Sequence, residues 1–87
     1  MRIWAKTFRE NHMLRDVVIE NNDNDTRTHK VFAAIEEISY AFDIPKPIWL
    51  DSNIKDFKKH AKVRFNQDSF VEDIPFDYLE VQVIEED

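Results

Sequence analysis

A chain of 87 residues without a single glycine must build every tight turn from residues that carry a Cβ. Only glycine enters positive φ freely. Other L-residues meet a clash there of roughly 1–2 kcal/mol, and Asn and Asp tolerate it best. Turns are therefore expected where short polar residues gather. Glu10-Asn11 separates two alternating apolar segments and reads as a tight turn. Asn21-Asn22-Asp23-Asn24-Asp25 is the clearest break, because its short polar side chains compete with the backbone for hydrogen bonds. The missing glycine also excludes the phosphate-cradling loops of P-loop and dinucleotide-binding proteins. It makes a sharp strand–nucleophile–helix elbow costly.

No cysteine is present either, which excludes disulfides, thiolate metal sites and a thiol nucleophile and fits a reducing compartment. The length allows one globular domain over residues 1–87. Apolar residues at 43% and charged residues at 34% permit a real core with a well-solvated exterior. No run of 18 apolar residues spans a membrane. The first twenty residues carry Arg2, Lys6, Arg9, Glu10, Arg15 and Asp16, which leaves no apolar signal region. The expectation is a soluble, cytoplasmic, acidic domain with no membrane partner.

Along the chain, residues 2–9 read as a strand with Trp4, Lys6 and Phe8 on one face. Residues 12–20 return as its hairpin partner, with Met13, Val17 and Ile19 on one face and Leu14 and Val18 on the other. A helix follows, capped by Asp25, Thr26 or Thr28, with Val31, Ile35, Ile38 and Phe42 forming its apolar stripe. Pro45 and Pro47 end it. Pro47-Ile48-Trp49-Leu50 reads as a short strand. Asp51 or Ser52 then caps a second helix over about 52–60, with Ile54, Phe57 and Ala61 on its inner side. Residues 62–67 form a further strand around Val63 and Phe65, and Gln67-Asp68-Ser69 turns. Tyr78 to Ile84 is the last strand, with Leu79, Val81 and Val83 opposite Glu80 and Gln82. Glu85-Glu86-Asp87 reads as a frayed end. The sum is an α+β, ββαβαββ two-layer sandwich: a mostly antiparallel sheet with helices on one face.

Few arrangements of chemistry-bearing residues survive inspection. A calcium loop beginning at Asn21 would place Thr26 and Phe32 where glycine and glutamate are needed, and one beginning at Asp23 would place Thr28 and Ala34 there. His12, His29 and His60 lack metal-site spacing. Neighbouring acids such as Glu36-Glu37 and Glu72-Asp73 point apart rather than into one cleft. Asp51 sits at a helix entrance, where it either caps or serves a site. Arg27, His29 and Lys30 open the first helix, where bases are electrostatically disfavoured. They either hold an anion or answer the nearby Asp23 and Asp25. No catalytic residue, metal or cofactor is assigned.

The net charge of −6 is unevenly spread. Residues 52–65 carry Lys55, Lys58, Lys59, Lys62 and Arg64 against Asp56 alone, a net +4, whereas residues 66–87 carry eight acids and no base. The basic segment, with Trp49 nearby, is the candidate partner-binding surface. It serves a protein partner, or, as the less favoured alternative, nucleic acid. The hairpin and the last strand also carry apolar residues on both faces. One layer of helices would leave one of those faces uncovered, and a second copy of the chain is the simplest cover. A homodimer is therefore expected. The third alternative is a small enzyme or ligand binder using Asp51, His29 and Arg27 at the helix entrances.

Thr28-His29-Lys30-Val31-Phe32, Pro47-Ile48-Trp49-Leu50-Asp51, Phe76-Asp77-Tyr78-Leu79-Glu80-Val81 and the Ile84-Glu85-Glu86-Asp87 end together resemble a family of short uncharacterised proteins from Gram-positive anaerobic bacteria. The resemblance spans nearly the whole chain and implies a bacterial, cytoplasmic origin and a complete chain. It implies no activity, cofactor or catalytic residue. The leading expectation is a non-catalytic module that binds a protein or itself.

Overall fold

The computed structural model describes residues 1–87. Strand β1 (Arg2–Arg9) and strand β2 (His12–Glu20) form the expected hairpin. Its turn is made by Glu10 and Asn11, at φ 51° and 65°. Consecutive left-handed residues match the right-handed twist of the two strands, so the hairpin closes without glycine. Helix α1 (Arg27–Phe42) starts at Thr26, whose hydroxyl accepts from the His29 N–H at 3.2 Å. It stops before either proline, at Asp43 in the left-handed region (φ 53°). There the Ile44 N–H reaches the Ser39 carbonyl, and Arg15 donates to the carbonyls of Ala41 and Phe42.

Helix α2 (Asp51–His60) is capped by neither Asp51 nor Ser52. Asn53 in its first turn accepts from the Leu50 N–H at 2.9 Å instead. Its end is Ala61, at φ 54°. Strand β3 (Lys62–Asn66), a 3₁₀ turn (Gln67–Ser69) and strand β4 (Tyr78–Glu85) complete the chain. The Pro47–Leu50 run is not a strand, so the chain order is ββααββ. Pro45 and Pro47 remove backbone donors there, and both central strands already have two neighbours, so the segment crosses from α1 to α2 as a connection.

The four strands form one antiparallel sheet in the order β2-β1-β4-β3. The first and last strands of the chain are thus paired at its centre. Both helices lie on one face, giving the two-layer α+β sandwich. The core is built from Ile3, Ala5, Ile19, Val63, Phe65, Leu79 and Val81 of the sheet, against Val31, Ala34, Ile35, Ile38 and Phe42 of α1 and Phe57 of α2. Two local departures shape the surface. A bulge in β2, where Phe8 pairs with Met13 rather than Leu14, moves Met13 off the core face expected for it and onto the opposite face. The terminal acids are tethered rather than frayed. Glu85 pairs with Arg2, Glu86 with Arg27, and Asp87 with both Lys30 and the Met1 amine. No helix is long and apolar enough to cross a membrane.

Candidate functional site: a helix groove and an open sheet face

Trp49 leaves the α1–α2 connection and inserts edge-on among three phenylalanines. Its ring centroid lies 4.9 Å from Phe65, 5.5 Å from Phe57 and 6.2 Å from Phe32. Beside it an open groove of about 270 Å3 runs between the helices. Val31 and Phe57 are its buried floor, half-exposed Phe32 and Ile54 are its walls, and Arg27, Thr28 and Lys58 line the rim. On the other side of Phe32 lies a second depression, lined by Ala33, Ile35, Pro47 and Trp49 with His29, Glu36 and Lys46. Phe32 is thus a ridge with an apolar hollow on each side. Sequence periodicity did not single out Phe32, because it falls beside the α1 stripe, and only the position of Trp49 gives it a role.

The expected basic segment is split between two layers. Lys55, Lys58 and Lys59 stand exposed on α2 and make no ion pair. Lys62 and Arg64 belong to the edge strand β3, in register with Gln82 and Glu80 on the face away from the helices. The bases at the start of α1 meet carboxylates of the same chain. Arg27 holds Glu86 through two nitrogens at 2.9–3.2 Å and lies over the Phe57 ring. Buried Lys30 binds Asp87. His29 Nδ1 is 2.9 Å from Asp25. The hydrogen bond from His29, with that from the Thr26 N–H, holds the Asp25 carboxyl below its ordinary range. Lys30 and the terminal amine do the same for Asp87. Asp51 is exposed in the first turn of α2 and joins neither Arg27 nor His29. No group of three or more His, Asp and Glu side chains converges in a way that would hold a metal ion.

The sheet face away from the helices is the second feature. Trp4, Phe8 and Tyr78 lie on it half-buried, with Met13, Leu14, Val18 and Ile84 exposed around them. Phe8 stacks on Tyr78 at 5.1 Å. Arg64 covers the Tyr78 ring and donates to Glu80 at 3.0 Å, while the other Glu80 oxygen takes Lys6 at 2.8 Å. The Lys6 ammonium in turn sits 3.7 Å from the centroid of Trp4, whose indole N–H donates to Asp16. Aromatic rings and charges form one continuous network across the face. Burial raises the pKa of Glu80, but the hydrogen bonds from Lys6 and Arg64 outweigh it, and the carboxyl stays below its ordinary range. The pairing of Trp4, Lys6 and Phe8 on one face follows from strand alternation. The roles of Glu80 and Tyr78 do not, because they depend on β4 lying beside β1.

No protein-family model, curated protein or solved structure matches the chain.

Proposed function

We propose that the protein is a non-catalytic binding module and that the α1–α2 groove receives an amphipathic, acidic segment of a protein partner. The observation that carries this reading is the combination of an apolar floor with unpaired lysines at and beyond the rim. Val31, Trp49 and Phe57 offer the apolar contact. Lys58 lines the rim and, like Lys55 and Lys59 on the same helix, forms no ion pair, whereas Arg27 on the opposite side is held by Glu86. A helix laid across the Phe32 ridge would place apolar side chains one turn apart in the two hollows and its acids against the lysines. Nucleic acid fits the same lysines less well. Phe57 is buried rather than available for stacking, and the molecule carries a net −6.

The test uses a synthetic helical peptide with leucines at i and i+4 flanked by glutamates, titrated into the 15N-labelled full chain. The expected result is saturable movement of the Trp49 indole and the Val31, Phe32 and Ile54 amides. Phe32→Ala, or Glu in place of Lys55, Lys58 and Lys59 together, should weaken binding about tenfold or more. Unmoved groove resonances overturn the reading. Salt-sensitive retention on heparin without peptide binding does so in favour of nucleic acid.

A further inference from the structure

The strand register aligns four ionic side chains in a single row across the open sheet face. Asp16 of β2 is paired with Lys6 of β1, Lys6 with Glu80 of β4, and Glu80 with Arg64 of β3. Read from edge to edge, the row is negative, positive, negative, positive. Such a row becomes its own complement when reversed. A two-fold axis parallel to the strands, between two stacked sheets, exchanges β2 with β3 and β1 with β4. It therefore sets Asp16 against Arg64 of the second copy and Lys6 against its Glu80. The other in-plane two-fold, perpendicular to the strands, lays every strand on itself and opposes like charges along the row.

The outer members of the row have bonding capacity left over. The Arg64 Nε donates to Glu80, and its two terminal nitrogens, over the Tyr78 ring, have no hydrogen-bond partner in the chain. Asp16 accepts from Trp4 through Oδ2 alone, which leaves Oδ1 free. The row on one side supplies aromatic contact. Phe8 and Tyr78 are in register and would exchange places across the axis. The row on the other side is Val18, Trp4, Gln82 and Lys62, and the axis sets Trp4 against Gln82 and Val18 against the Lys62 side chain of the second copy.

We propose that this open sheet face is the contact between two copies of the chain, packed as aligned sheets about a two-fold axis parallel to the strands, with reciprocal Asp16–Arg64 pairs at its edges. Aligned sheets cross at about −30°, which keeps the rows in register near the axis. Four strands about 4.8 Å apart and some seven residues long, at about 3.3 Å per residue, give a footprint on the order of 450 Å2 per copy. That lies at the weak end of specific interfaces, so the dimer forms reversibly in the micromolar range or above. The proposal is independent of the groove, which lies on the helix layer. The four charges of the row sum to zero.

The test is sedimentation equilibrium of the full chain up to about 1 mM. Wild-type protein is expected to approach the dimer. Asp16→Arg alone places cations opposite Arg64, and Arg64→Glu alone places anions opposite Asp16. Each should weaken self-association at least tenfold. An equimolar mixture of the two variants is expected to recover a heterodimer, because each altered edge then meets its opposite. Circular dichroism melts establish that each variant is folded. A wild-type chain that stays monomeric overturns the proposal. So does a dimer indifferent to both substitutions, or variants that fail to recover on mixing while folded.

Discussion

Four residues bear the cost of a glycine-free sequence: Glu10, Asn11, Asp43 and Ala61 all have φ between 51° and 65°. Asn and Asp are expected there. Ala61 is not, since it has neither a side-chain hydrogen bond nor freedom from the Cβ clash. It is held there by its surroundings: its N–H closes α2 on the Phe57 carbonyl, and its own carbonyl accepts from Val83 of the central strand. Ala61→Gly should therefore stabilise the protein, by about 1 kcal/mol, read as a higher urea midpoint with an unchanged slope. Thr26→Ala should act oppositely. Loss of the hydroxyl that accepts from the His29 N–H costs about 1 kcal/mol by the same measurement.

Among the elements, β4 most determines what the molecule presents. Leu79 and Val81 enter the core, whereas Glu80 lies between them in sequence and on the other side of the sheet. Its folded pKa is depressed below the ordinary 4.5. Its contribution to stability is therefore complete above the unfolded-state value and disappears as pH falls through the lower folded value. Unfolding free energy should decline on acidification below about pH 4.5, and the decline should be shallower in Glu80→Gln. At neutral pH that substitution should destabilise by about 2–4 kcal/mol. It leaves Lys6 buried without its carboxylate, while the exposed Arg64 loses less. Denaturant titrations of both proteins across pH 3 to 7 would check the sign and the size.

For the molecule as a whole, the strand order makes folding a matter of the entire chain. The central pair joins residues 2–9 to residues 78–85. The edge strand β3 touches only β4 within the sheet. A chain ending at Asp77 would keep both helix sequences and the hairpin yet lose the strand that joins them. It is expected to lack dispersed amide resonances, whereas adding a peptide of residues 78–87 in excess should restore them in part. The tethers of Glu86 to Arg27 and Asp87 to Lys30 reinforce the same closure. They also place carboxylates on the bases that open α1.

Much of this architecture is written locally. Alternation fixed the faces of β1 and β4, the Val31–Ile35–Ile38–Phe42 stripe fixed the inner side of α1, and short polar residues marked the turns, because each depends on neighbours within a few positions. The bulge that turns Met13 outward, the failure of Pro47–Leu50 to join the sheet and the tethering of the last residues depend on partners far along the chain. So do both candidate surfaces. Lys62 and Arg64 separate from Lys55, Lys58 and Lys59 because a strand and a helix adjoining in sequence lie in different layers. The alternating row of Asp16, Lys6, Glu80 and Arg64 comes from four segments that only strand pairing aligns. Sequence thus dictated the apolar stripes of β1, α1 and β4 and most of the turns, since propensity and periodicity are short-range. Tertiary structure alone decided which charges and rings would stand together, since register across a sheet is set by non-local contacts.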